Sequence, residues 1–201
     1  MILILVGPSG CGKTEIGKQL NKELEYEKAV SCTTRIPRIG EVEAIDYFFK
    51  NNKSFFETQL IEYTEYPKGS GKYYGLSVEA FNNPDKDIYC IVEISGALKI
   101  KEMFPNAKLI FINCDEDILE KRMRERGDKE ENIKERLDNI KNCDEYSSMN
   151  YADFILDNNE SMENTMKTLE NYINSLKSIT HHLATWVVRS GGLSKVLNST
   201  S

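Results

Sequence analysis

The stretch "MILILVGPSGCGKTEIGKQL" at the start of the chain constrains the fold more than any other. Ile2 to Val6 form a short apolar run, the pattern of a buried parallel strand. Gly7, Gly12, Lys13 and Thr14 then stand at the spacing G-x-x-x-x-G-K-[ST]. Ile16, Leu20 and Leu24 follow at intervals of four, a helical period. A glycine loop between a strand and a helix suits phosphate binding. Glycines let the backbone take positive φ and approach an anion closely, and the N–H groups of the loop and of the helix N-terminus point at its oxygens. The spacing predicts that Gly7, Ser9, Gly10, Cys11, Gly12, Lys13 and Thr14 surround the phosphates of a nucleoside triphosphate. Lys13 would reach the β- and γ-phosphates, and the Thr14 hydroxyl would ligate Mg²⁺. A glycine turn capping an ordinary helix is the alternative; motif and context together disfavour it.

Strand-like runs recur at 2–6, 28–32, 88–94, 107–113 and 153–156, and helical patterns at about 13–25, 96–103, 115–126, 129–148 and 160–177. This alternation predicts an α/β fold, a parallel sheet of the P-loop NTPase type with helices on both faces. Residues 35–85 differ, being rich in Tyr, Phe, Gly and Glu with short extended runs, and predict a small mixed lobe inserted into the core. The 201 residues suffice for one sizeable core plus that lobe. A net charge of −6 argues against a nucleic-acid partner. No apolar run approaches the roughly 18 residues of a membrane span, and the opening lacks the basic region of a signal peptide. Five scattered cysteines without a C-x-x-C read as free thiols of a cytoplasmic protein, with zinc disfavoured.

The second informative stretch is "SCTTRIPRIGEVEAIDYFF", residues 31–49. It places Arg35 and Arg38 on a turn stiffened by Pro37, and two guanidinium forks on a rigid loop suit a second phosphate group. At this point the chain resembles the guanylate kinase family. GPSGCGK (7–13), SCTTRIPRIGE (31–41), DYFF (46–49), LIEY (60–63) and YYG (73–75) stand in the family's order and approximate spacing, over about residues 2–176.

The resemblance implies an ATP-dependent kinase that phosphorylates GMP or dGMP, with ATP and Mg²⁺ bound, as a monomer or homodimer. It implies a domain over 1–176, made of a core (1–34 and 86–176), an acceptor-binding lobe (about 35–85) and a helical lid (about 120–140), followed by an extension over 177–201. Ser31, Arg35, Arg38, Tyr47 and Tyr74 would hold the acceptor phosphate, with Glu41 orienting the arginine loop. Glu62 would accept hydrogen bonds from the donor edge of guanine, for which a carboxylate, all acceptor, is suited. In "EKRMRERG", Arg122 would lie against adenine; Arg126, with Arg136 of "KERL", would close on the transferring phosphoryl group. "DNN" at 157–159 takes the place of an adenine contact.

Two departures stand out. Leu76 follows YYG where the family has Ser or Thr, with Ser77 one residue further. "IVEISGA" (91–97) is two residues short and lacks the second acid. They leave two alternatives open: a relative with another phosphate-bearing acceptor, such as ribose 1,5-bisphosphate or a different nucleoside monophosphate, and a non-catalytic binding module. The complete P-loop disfavours the module. The last helix is expected to end near Leu176 and the tail to fray after Gly192, with no site residue in it.

Overall fold

The structure, a computed structural model, describes residues 1–189 except 39, 66–68, 84 and 143–144, with the side chains described up to residue 179. Two compact units divide it, Met1–Asn159 and Glu160–Ser201. In the first, β1 (Ile2–Val6), β2 (Glu27–Lys28), β7 (Ile88–Ile91), β8 (Lys108–Asn113) and β9 (Phe154–Asp157) form one parallel sheet in the order β2-β7-β1-β8-β9.

Alternation along the strands buries both faces of this sheet. Ile4, Val6, Ile88, Cys90, Leu109 and Phe111 join Ala97 and Ile100 of α3 (Ile94–Met103) in one apolar cluster. The alternate residues Leu3, Leu5, Ile110 and Ile112 are equally buried. On that side Tyr89 lies under α1 (Lys13–Leu24), so closely that a Cβ on Gly17 would come within 2.4 Å of its ring. The predicted helices on both faces are present at α1 and α3. Because every strand runs the same way, Gly7, Val92, Cys114 and Asn158 all emerge at one edge, where ligands of open α/β sheets bind.

The run 28–32, predicted as one strand, is two. The chain leaves the core sheet at Lys28 and enters a second sheet at Cys32, so the break serves two sheets at once. That second sheet consists of β3 (Cys32–Thr33), β4 (Phe48–Phe49), β5 (Leu60–Glu65) and β6 (Tyr73–Ser77), ordered β4-β3-β6-β5. β3 and β4 are parallel and the other pairs antiparallel; α2 (Asn52–Phe56) lies between β4 and β5 in sequence. The predicted mixed lobe is thus present, beginning at β3.

The predicted lid region is α4 (Glu116–Glu125) and α5 (Glu130–Asn142). The helical pattern read through 148 stops at Asn142, and Glu145–Tyr151 form a 3₁₀ turn instead. In the second unit, α6 (Met162–Arg189) starts behind Ser161, whose Oγ accepts the Asn164 N–H at 3.2 Å. It passes the predicted end at Leu176, because neither glycine nor proline stands between that residue and Gly191. The expected fraying after Gly192 lies outside the described residues. No helix among the described residues is long and apolar enough to cross a membrane.

Candidate functional site

The glycine loop between β1 and α1 has positive φ at Gly7, Gly10 and Gly12. Gly12 is the N-cap of α1 in the left-handed conformation, and it offers no side chain to satisfy the first-turn N–H groups. A Cβ there would stand 2.5 Å from Asn158 Nδ2. Asn158, only 1% exposed, donates that Nδ2 to the Cys11 carbonyl at 2.8 Å. The "DNN" run therefore puts Asn158 beneath the loop as its brace. Lys13 spans the mouth of the loop, its Nζ donating to the Gly7 carbonyl and to the Pro8 carbonyl at 3.0 Å. Thr14 is exposed on the first turn of α1. Cys11 is fully buried, and burial raises its thiol pKa against the opposing charge of Lys13.

The arginine loop is built on Glu41. Its Oε1 accepts from Arg35 Nη2 at 2.7 Å, and its Oε2 from the Arg38 backbone N–H at 2.7 Å. Arg35 holds the Glu41 carboxyl below its ordinary range. Arg35 itself is 9% exposed. Its Nη1 donates to the Ile36 carbonyl at 2.8 Å, while its buried Nε has no partner among the described residues. The guanidinium stands 5.5 Å from the Tyr47 ring, whose edge meets Tyr74 with centroids 6.0 Å apart. Arg38 is exposed.

Ser31, Tyr47, Glu62 and Tyr74 line one cavity of about 500 Å³. Glu62 is 8% exposed, and burial, aided by Glu93 and opposed by Lys99, pushes its carboxyl up to about 7. None of the hydrogen bonds found among the described residues ends on that carboxylate. Its position depends on Gly96 of α3: a Cβ there would meet Glu62 Cγ at 2.6 Å and Cδ at 2.8 Å. Leu76 pairs with Glu62 across a bulge in β5–β6 and is buried in the core cluster below the cavity. Ser77, on the other face of β6 by alternation, is buried and does not line the cavity.

In α4, Arg122 Nη1 donates to Cys114 Sγ at 3.5 Å. Arg126, the C-cap of α4, and Arg136 of α5 both bond to Asp128. Arg124 pairs with Glu120 and Glu130, and Lys121 with Glu125, as on a solvated helix face.

Several residues on this edge are not among the site residues predicted from the sequence. Glu93, Glu145, Ser147 and Ser148 also line the cavity. Burial and Glu93 raise the Glu145 carboxyl pKa while Lys13 and Ser9 of the glycine loop lower it, which sets this part of the cavity wall beside the loop. Glu145 stands on the 3₁₀ turn that the periodicity had absorbed into a helix. Lys28 sits 5.5 Å over the Tyr47 ring and donates to the Ile45 and Asp46 carbonyls at 3.2 and 2.8 Å. A charged residue at the end of an apolar run was the available signal for Lys28.

With this geometry in hand, the comparisons with known proteins agree. The family model described as "Guanylate kinase" matches residues 1–176. The chain is 37% identical to a guanylate kinase of Rickettsia felis over 180 residues, covering 86% of this chain and 92% of that one. It is 34% identical to a guanylate kinase of Streptococcus pneumoniae over 171 residues, covering 80% of each. The crystal structure of guanylate kinase from Anaplasma phagocytophilum superposes with a TM-score of 0.63 at 24% identity, covering 89% of this chain and 85% of that one, a likeness of fold. The chain belongs to the guanylate kinase family.

Proposed function

We propose that this chain transfers the γ-phosphoryl group of ATP to GMP or dGMP, giving ADP and GDP or dGDP. The observation that carries the reading is the cavity in which Glu62 and the Ser31–Tyr47–Tyr74 set meet, with Glu145 on its wall within the reach of the Lys13 charge. Family membership supports it. Residues 35–85 act as the acceptor lobe and 120–140 as the lid, and a cytoplasmic setting goes with the free thiols of Cys11, Cys32, Cys90 and Cys114.

The uncapped start of α1 and the loop N–H groups bind the ATP phosphates, Lys13 turning its ammonium from the loop carbonyls to the β- and γ-oxygens. Arg122 lies against the adenine. Thr14 suits Mg²⁺, which typically takes few protein ligands beside phosphate oxygens and water. Among the described residues no three His, Cys, Asp or Glu side chains gather as a metal site. Mg²⁺, when bound, neutralises charge on the phosphate oxygens. Arg35, with its unpaired buried Nε, holds the acceptor phosphate beside Ser31, Tyr47 and Tyr74, while Arg38 reaches it from the exposed turn. Glu62 takes the guanine donors. A general base is unnecessary, because the acceptor is a phosphate monoester with a second pKa of about 6. Positioning two anions in line and neutralising the charge between them is the catalytic task, and Lys13, Arg126 and Arg136 perform it. ADP formation with GMP, dGMP, AMP, UMP and ribose 1,5-bisphosphate tests the reading; faster turnover with any of the last three overturns it.

Arg35→Ala is expected to raise the KM for GMP by about 10- to 150-fold, the equivalent of one charge-assisted contact at about 1.5–3 kcal/mol. Arg38→Ala should raise it less, because Arg35 also holds Glu41 while the Arg38 side chain is exposed. Equal effects of Arg35→Ala on ATP and GMP would show that this loop does not serve the acceptor.

The pH dependence follows from Glu62. Guanine presents donors, so the ionised carboxylate binds it and the protonated acid does not. With the carboxyl near 7, the ionised fraction falls as pH drops through that value. The KM for GMP should therefore rise about tenfold between one unit above and one unit below it, with the KM for ATP far less affected. Glu62→Gln should leave only the slope due to the substrate phosphate. The same steep profile in Glu62→Gln would remove Glu62 as the cause.

A further inference from the structure

We infer that Asp128 is a positioning residue for phosphoryl transfer, its carboxylate joining the guanidinium groups of Arg126 and Arg136 into one unit that presents their remaining donors to the transferring group. The inference rests on the reading of these two arginines as the lid's transfer residues.

The geometry begins at the end of α4. Gly127, at φ +84°, lies in the left-handed region that closes a helix. The Gly127 N–H donates to the Arg124 carbonyl at 2.9 Å and the Asp128 N–H to the Met123 carbonyl at 3.1 Å. This pair of bonds is the Schellman arrangement. Asp128 is therefore held by its backbone to the helix end, and its carboxylate has a defined origin.

Two bonds run from that carboxylate to Arg126, Nη2 on Oδ2 and Nε on Oδ1 at 3.3 Å, the forked pairing that fixes a guanidinium plane. Arg136, eight residues on, places Nη1 on the same Oδ2 at 2.9 Å. Without an anion between them, two guanidinium groups brought this close repel each other. Asp128 removes that repulsion and sets their separation. Its side chain is 19% exposed, so water screens the arrangement only in part. Arg126 lowers its carboxyl pKa most, and the charges of Arg136 and Arg38 add to this against partial burial. Nη1 of Arg126 and the Nε and Nη2 of Arg136 have no protein partner among the described residues. Those are the donors left for phosphoryl oxygens.

Steady-state kinetics on the full chain test this with Asp128→Asn, Asp128→Glu, Arg136→Ala and the double variant Asp128→Asn/Arg136→Ala. In Asp128→Asn the kcat should fall about 10- to 100-fold, the scale of a group misplaced by about 1 Å. The KM values for ATP and GMP should stay within about twofold, since the arginines act in the transition state. Asp128→Glu, which keeps the charge, should recover part of the kcat. In the Arg136→Ala background, Asp128→Asn should add far less than it costs alone. Unchanged kcat in Asp128→Asn overturns the inference. So does a fall in KM with kcat kept, which would make Asp128 a competitor of the substrate phosphate. Independent, multiplying effects in the double variant overturn it too. Full kcat in Arg136→Ala would instead sink the lid reading itself, a separate result from failure at Asp128. If Asp128→Asn lowers the thermal midpoint, kcat measured on the folded fraction, together with the Glu variant, separates positioning from folding.

Discussion

Lys13→Ala is expected to abolish phosphoryl transfer while the protein stays folded. In the structure the Lys13 ammonium makes its hydrogen bonds to the carbonyls of Gly7 and Pro8 and lies 3.9 Å from Cys11 Sγ, all within its own loop. No element of the core depends on it. Under the proposed function, with ATP bound, this side-chain charge would stabilise the bridging and terminal phosphate oxygens as negative charge builds up on them. Removing one such preorganised group costs about 10²–10³ in kcat at least. ADP formation with GMP, measured beside a thermal melt and far-UV circular dichroism, checks both halves of the expectation. Turnover near the unaltered level in a folded variant would defeat the assignment of the loop.

The second large effect is expected in the cavity, from two substitutions that share one cause. Glu62→Gln removes the ionised acceptor, and Gly96→Ala drives a methyl group into the space the Glu62 side chain fills, 2.6 Å from Cγ and 2.8 Å from Cδ. Two charge-assisted hydrogen bonds at about 1.5–3 kcal/mol each make kcat/KM for GMP fall by about 10²–10⁴ in Glu62→Gln. Gly96→Ala should approach that loss, because α3 and β5 are both packed into the core and neither yields easily. The KM for ATP should change little in either. Selectivity for GMP over AMP should narrow in both, since the role proposed for the carboxylate is to discriminate between the two bases. A Gly96→Ala protein with ordinary kinetics toward GMP would mean that Glu62 is not pinned by α3. A Glu62→Gln protein with ordinary kinetics would mean that guanine is read elsewhere on the cavity wall, where Glu93 and Glu145 stand.

The features legible in the sequence are those whose physics is local. A loop that needs positive φ announces itself in glycines, and the glycine loop follows from Gly7 to Thr14 alone. Buried strands and amphipathic helices announce themselves by period, so β1, β8, α1 and α4 fall within a residue or two of their predicted bounds. Elements that end for tertiary reasons do not. The run 28–32 reads as one strand, yet it divides because two sheets claim its ends. The pattern through 148 is helical, yet Glu145 leaves the helix and turns into the cavity. Leu76 looked like a lost substrate contact. Only the packing of β6 shows it buried in the core cluster, on the face it shares with Glu62. Asn158 stands 147 positions from the loop carbonyl it braces, and Gly96 lies 34 from the carboxylate it admits. Pairings at such separations leave no trace in local composition or period. They exist because the parallel sheet brings the ends of β1, β7, β8 and β9 to one edge, and closing the chain on itself decides which side chains meet there.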